Sequence, residues 1–374
     1  MGELWDVVVV GGGPAGSAAA LGALRARPDA RVLILDSASF PRDKVCGDGI
    51  APHAVDVLTE LGVDPAALFA GSAPIIRLRL HSPGGRLAAR ATARPGYVVP
   101  RALFDHRLLT TALSAGAVLR RSPVRTVSVG ADEVVLDGDL RARVVIGADG
   151  SESVVRRCLG VAAPRLGTVA LAIRGYAPAA PWPAAEQLLT MTAAHWPAYA
   201  WVFPIGDGRA NVGYGELLRG NPISRAQLVD RLHQLLPAAA VSGLRAHRLP
   251  LSTGRPQVEH GRVLLAGDAA ALINPITGEG IFYAVLSGSL AGAAAVGAAP
   301  GNSYRRALAE RLGRHLRHTD VLARLGRWPF VLDAAIGAAG RSQRVFDSVV
   351  ELGLGDGRLD VPAVGAVLRS LTRK

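Results

Sequence analysis

An α/β chain, α+β overall, is predicted by three features of the 374-residue sequence. Residues 5–10 are a continuous apolar run leading into a glycine turn, an alanine-rich helix over Pro14–Arg27 and a second buried run over 31–36. That strand–turn–helix–strand order is the βαβ unit of a parallel, Rossmann-type domain. Between about 165 and 250, GTVALAIRGY, EQLLTMT, AYAWVFP and ANVGYG alternate with Pro/Gly turns, which predicts a largely antiparallel sheet with one helix near 223–235. Beyond 278 the pattern is helical.

The remaining elements follow in order. A helix is expected over Pro52–Leu61, and PIIRLRLHSP and RLAARATA, joined by Gly84-Gly85, read as a hairpin. A helix over 101–115 leads through short strands to ARVVIGADG at 142–150, and GRVLLAGDAA returns to a buried strand. The two sheet types interleave. The expected first domain is therefore discontinuous: 1–75, 97–164 and 250–300. A second sheet domain comprises 76–96 and 165–249, and 301–374 form a helical tail.

Composition narrows the class. Hydrophobic content of 49% with 19% charged residues excludes disordered and fibrous chains. Cys46 and Cys158 are the only cysteines, so no disulfide framework exists and a reducing cytoplasm is expected. Glu3 and Asp6 stand where a leader would be basic, so no signal peptide is expected. The net charge is +12, but Lys44 and Lys374 are the only lysines among 42 basic residues, and aromatics are only 5%. That balance fits an arginine-biased composition rather than a nucleic-acid footprint, so no nucleic-acid partner is expected. Gly280–Ala299 carries no charge over a bilayer's length, but its Ala/Gly/Ser content predicts a buried helix instead of a span.

GGGPAG places Gly11, Gly13 and Gly16 between strand and helix, with Pro14 and Ala15 opening the helix. Gly11 permits the turn, Gly13 lets a pyrophosphate approach the backbone and Gly16 lets helix meet strand. The helix start offers free N–H groups to phosphate. Asp36, 20 residues beyond Gly16, ends the second strand where a carboxylate reaches the adenosine ribose. An ADP-containing cofactor follows; FAD and NAD stay unresolved by this motif alone.

VVIGADGSESVVRR (144–157) and VLLAGDAAALINPITGEGI (263–281), after that fingerprint, resemble the flavoprotein monooxygenase and reductase superfamily. The resemblance implies FAD. It places Gly267 and Asp268 at the ribityl chain and Pro275, Gly278, Gly280 and Ile281 against the flavin ring. Asp149 of the internal Asp-Gly pair and Arg101 are implied as further FAD contacts. PRDKVCGDGI resembles the cysteine loop of the geranylgeranyl reductase group, which puts Cys46 and Gly47 at the flavin's reactive face. YAWVFP followed by GYG resembles that group's aromatic motif: Tyr199, Trp201, Phe203, then Gly213 and Gly215. On a strand the three aromatics share one face, an apolar wall suited to a long hydrocarbon. The resemblance covers about 1–300.

No metal-ligand spacing and no second glycine fingerprint is present, and His53, His195, His247 and His260 read as surface or core residues. The Trp-x-Trp-x-Ile-Pro motif of flavin-dependent halogenases is missing. Tyr304–Arg327 is a basic amphipathic helix whose Leu308, Leu312 and Leu316 are expected to pack inward; docking to an anionic membrane is the alternative. The expected activity is FAD-dependent reduction of C=C bonds in an isoprenoid, polyprenyl or other apolar substrate, with Cys46 as the candidate catalytic residue, open to activation by nearby Lys44 and Arg42; whether it donates a proton or is a wall of the site stays open. The electron donor (NADPH, NADH or ferredoxin) and the oligomeric state stay open. The competing readings are a flavin monooxygenase acting on a natural-product scaffold and an electron-transfer flavoprotein.

Overall fold

The computed structural model describes residues 3–220 and 223–372. In the first sheet, Leu4–Val10 lies parallel to Val32–Asp36 on one side and to Leu140–Gly147 on the other. Val263–Leu265 and Glu259–His260 extend it beyond Leu140–Gly147, and Val118–Arg121 closes the opposite edge. Val7 to Val9 are fully buried, as both faces of this parallel sheet are covered.

The helix Pro14–Ala26 packs on the helix Ile281–Ala295 through small residues. A Cβ on Gly288 would stand 2.1 Å from the Ala15 carbonyl oxygen, and one on Gly292 1.9 Å from that of Ala19. This close packing explains the uncharged segment after Gly280. Its helix has 15 residues, short of the roughly 20 that a bilayer needs. Among the described residues no helix is long and apolar enough to cross a membrane.

The second sheet runs Ser242–Pro250, Val169–Pro178, Arg209–Leu217, Ala198–Pro204, Glu186–Met191, Pro74–His81, Leu87–Val98 and Gly49–Ile50. It is antiparallel except where Glu186–Met191 pairs in parallel with Pro74–His81, the register that joins the early hairpin to the middle third. Ala198, Ala200 and Val202 bury one face against Leu228 and Leu232 of the helix Arg225–Leu235. Tyr199, Trp201 and Phe203 alternate onto the other face.

The helix Pro300–Leu325 buries Tyr304, Leu308, Leu312 and Leu316 in the core around the first sheet. The helices Pro329–Arg341, Gln343–Leu354 and Val361–Thr372 turn back onto the second sheet's hairpin. There Leu78, Leu80 and Ala88 cluster with Ile336, Phe346 and Ala363.

Candidate functional site

A single cavity of about 1890 Å³ runs from the glycine turn, past the cysteine loop, to the C-terminal helices. Ordinary small-molecule sites reach about 1000 Å³, so there is room for a dinucleotide and a long second ligand together.

At one end stand Gly11, Gly13, Pro14, Ala15, Asp36, Arg101, Asp149 and Asp268. Gly13 faces two guanidinium groups: a Cβ there would lie 3.3 Å from Arg42 Nη2 and 3.9 Å from Arg101 Nη2. Glycine backbone, helix start and two arginines suit a pyrophosphate. Asp36 accepts the Gly12 and Ala38 amides at 2.8 Å, which fixes its carboxylate at the strand end. Buried Arg101 donates to Asp105 at 2.6 and 2.8 Å, and Arg42 reaches the same carboxylate at 3.2 Å. Asp149 lines the cavity, but its carboxylate caps the helix Val154–Cys158, accepting from Ser153 Oγ at 2.5 Å and the Val154 amide at 2.7 Å. Pro275, Gly278, Gly280 and Ile281 border the cavity at the start of the helix Ile281–Ala295.

Gly16, Gly267 and Gly213 do not line the cavity; they act from behind its wall. A Cβ on Gly16 would stand 1.7 Å from the Gly11 carbonyl oxygen, one on Gly267 3.2 Å from Ala15 Cβ, and one on Gly213 2.2 Å from Trp201 Cζ2. Each is a packing position beneath a residue that faces inward.

The cysteine loop is pinned to the second sheet by groups whose sequence positions give no sign of it. Arg174, 1% exposed, donates to the Cys46 carbonyl at 3.0 Å, to the Lys44 carbonyl at 2.8 Å and to Asp43 at 2.8 and 3.2 Å. Asn211 donates to the Cys46 carbonyl at 2.8 Å and accepts from Trp201 Nε1 at 2.8 Å, so one amide ties loop and aromatic wall together. Gly47 lies on the same wall, where a Cβ would meet Phe203 at 3.1 Å. Tyr199, Trp201, Phe203 and Gly215 all line the cavity, with successive ring centroids 5.9 and 6.4 Å apart.

Neither of the two cations next to Cys46 in sequence is placed to activate its thiol. Lys44 pairs with Asp268 at 3.1 Å and Arg42 with Asp105, so neither cation serves Cys46. Burial then pushes the thiol up, against the pull of Arg101, which keeps it protonated at neutral pH. Burial opposes ionisation of Asp268, but Lys44 and His247 hold it below the usual carboxylate range.

Two histidines read as filling residues line the cavity instead. Burial, reinforced by Lys44, lowers His247 to about 4, so it is neutral. His53 bonds Glu351 at 2.8 Å. His53, Glu351 and Asp356 also bring ligand-type atoms within 4.8 Å of one another, a set that sequence spacing does not reveal. Arg311 stands 3.3 Å from Asp356, which makes the group a mixed-charge junction.

That junction belongs to a latch in the C-terminal region, where the sequence offered no motif. The backbone carbonyls of Leu352, Gly353 and Gly355 accept from Asn274, Thr277 and Tyr283 at 2.9, 2.5 and 3.1 Å. Tyr199 OH donates to the Thr277 carbonyl. Aromatic wall, Pro275–Gly280 turn and C-terminal helices therefore form one connected frame. Leu332, Ile336, Val345, Leu352 and Val367 supply the far apolar wall.

A family model described as FAD binding domain matches residues 5–289. The menaquinone reductase of Mycobacterium tuberculosis is 35% identical over 356 residues, covering 87% of this chain and 84% of the relative. The digeranylgeranylglycerophospholipid reductase 2 of Methanopyrus kandleri is 32% identical over 311 residues, covering 77% of this chain and 76% of the relative. A geranylgeranyl bacteriochlorophyll reductase-like protein from Thermoplasma acidophilum shares the fold, with a TM-score of 0.81 at 24% identity over 100% of this chain and 97% of that one.

Proposed function

This chain belongs to the geranylgeranyl reductase group of FAD-dependent oxidoreductases, and we propose that it adds hydrogen across C=C bonds in the isoprenoid chain of a lipid or quinone. The observation that carries the reading is the cavity's continuation beyond Cys46 and Trp201 into a wall of aliphatic side chains from the C-terminal helices. The names of the two relatives point the same way, since both denote molecules with isoprenoid chains.

Gly11, Gly13, Asp36, Arg101 and Asp268 would hold FAD, with the Pro275–Gly280 turn beside its ring. When bound and reduced by an external donor of the NADPH, NADH or ferredoxin type, FAD supplies the hydride. The chain's residues supply the rest. Tyr199, Trp201 and Phe203 align the hydrocarbon, and the aliphatic wall excludes water from an alkene that has no carbonyl to take up charge. One alkene carbon gains the hydride and the other a proton. The half-buried, protonated Cys46 thiol is the candidate proton donor, held in place by Arg174 and Asn211 through its own carbonyl.

The test is anaerobic turnover of the reduced, FAD-loaded protein with polyprenyl lipids, followed by mass spectrometry. A gain of two hydrogens per bond is expected. A product heavier by one oxygen, formed only in air, would replace reduction with monooxygenation. Cys46→Ala should lose turnover at least about tenfold with FAD retained; unchanged turnover would remove the thiol from the reaction.

A further inference from the structure

The last helix, Val361–Thr372, has two apolar faces. Ala363, Ala366 and Val367 pack inward with Ile336 and Phe346. Val361, Val364, Leu368 and Leu371 follow one another at steps of three and four residues, which places them on one helix face, and all four are exposed, Val361 at 82%. The end of the helix Pro300–Leu325 repeats the pattern: Val321 and Leu325 are exposed, and Trp328 and Phe330 follow at 61% and 57%, their rings 6.3 Å apart.

These two stretches share a second property. Leu325 and Gly326 from one, and Val364, Leu368 and Leu371 from the other, also line the cavity. Residues that are at once exposed and cavity-lining mark a mouth. Its rim is basic as well: exposed Arg317, Arg324 and Arg327 line it. Arg324 pairs with Asp320 at 2.6 Å, whereas among the described residues Arg317 and Arg327 have no carboxylate partner. Of the other acids that line the cavity here, Asp360 pairs with Arg344 and Asp347 accepts from Gln343 Nε2 at 2.8 Å.

An apolar surface ringed by arginines is the combination that binds anionic bilayers. We propose that this face docks on an anionic phospholipid bilayer, with the cavity mouth against the lipid. The docking face is the helix end, the following turn and the last helix. It is not the leucine stripe of Leu308, Leu312 and Leu316, which is core. Docking itself is independent of the reaction. Only its use, lateral uptake of a chain-bearing lipid, rests on the proposed reduction.

The test is sedimentation of the FAD-loaded protein with substrate-free vesicles, so that it does not depend on turnover. Vesicles of phosphatidylglycerol and phosphatidylcholine should bind it and release it with added salt, while pure phosphatidylcholine should bind at least about tenfold more weakly. Trp328 and Phe330 lie outside the cavity lining, so W328S/F330S should keep FAD content and melting temperature yet lose about tenfold in vesicle binding. R317Q/R327Q should flatten the salt dependence. Equal binding to both vesicle types, or unchanged binding by W328S/F330S, would overturn the proposal. So would a dimer in solution that W328S/F330S dissociates, since the face would then belong to a second copy.

Discussion

Two glycine-rich segments face the same cavity from opposite ends of the chain, and they are built in different ways. Gly11 to Gly16 is a self-contained turn: Gly11, at φ +104°, allows the chain to reverse, and Gly16 leaves space for the Gly11 carbonyl, with which any Cβ would collide. Gly353 to Gly357 only closes the end of the helix Gln343–Leu354, where the Gly355 and Gly357 amides both donate to the Glu351 carbonyl. Its carbonyls, and that of Leu352 just before it, are claimed by Asn274, Thr277, Tyr283 and His315, which lie 42 to 78 residues away in sequence. The first segment encodes its function in spacing, the second in the approach of distant partners. Cofactor binding should therefore fail sharply and locally, while the C-terminal wall should loosen by degrees.

The sharpest break is Gly16→Ala. Its Cβ would lie 1.7 Å from a backbone oxygen that has no room to move, so strand and helix must separate. A destabilisation of at least about 3 kcal/mol is expected, together with loss of bound flavin. Flavin absorbance per protein and thermal melting measure both. Retained FAD in a folded G16A protein would mean that the turn relaxes in a way the packing does not suggest.

Arg174→Met tests the joint between the two regions. It removes a buried cation, leaves the Lys44 carbonyl without its side-chain donor, and leaves the Cys46 carbonyl to Asn211 alone and Asp43 to the more distant Arg245. The expected loss is roughly 3 kcal/mol. Because Arg174 acts by positioning Cys46, the variant should lower turnover more than it raises KM and should still hold FAD. Arg174→Lys should rescue only part of this, since an ammonium cannot reproduce the fork that reaches carbonyls and carboxylate together. A variant that melts lower but turns over normally would leave Arg174 a merely structural role.

Gly355→Ala addresses the distant segment. A Cβ there would stand 2.5 Å from the His53 ring, which can shift only by giving up its 2.8 Å bond to Glu351. A cost of about 1–3 kcal/mol is expected. FAD content should stay unchanged, with a higher KM for long chains than for short ones. Equal effects on both chain lengths would detach the latch from the apolar wall.

The same contrast explains what was legible in the sequence. The βαβ unit, the hairpin, the antiparallel middle and the buried helix after Gly280 are all set by local periodicity, and they form as expected. The aromatic wall was legible because period two is geometric: Tyr199, Trp201 and Phe203 must share a face. Arg174 was not, because an arginine at an inward strand position reads as an error until Asp43 and two carbonyls are brought over it. His53 and His247 were missed for the same reason. The surroundings of Cys46 were not legible either, because Lys44 and Arg42 are its neighbours in sequence, whereas in space they pair with Asp268 and Asp105.

The smallest expected effect is a titration. Glu279 stands between the two regions, in the turn that meets both the aromatic wall and the helix Ile281–Ala295. Burial raises its carboxyl from an ordinary 4.5 to about 7, against the Phe282 and Ile281 amides, which pull it down. Between those values the folded protein keeps a proton that the unfolded chain has released. Folding therefore takes up a proton, and this contribution to stability falls as pH rises from 4.5 through about 7, then levels off. Glu279→Gln cannot titrate, so the difference in melting temperature between wild type and variant should change across that window and be flat above it. The change should be on the order of 1 kcal/mol at most, because the carboxyl faces a cavity that admits water. A difference flat from 4.5 upward would mean that Glu279 is ionised throughout. The helix start would then meet a carboxylate, not a neutral acid, and the turn would be negatively charged where the wall approaches it.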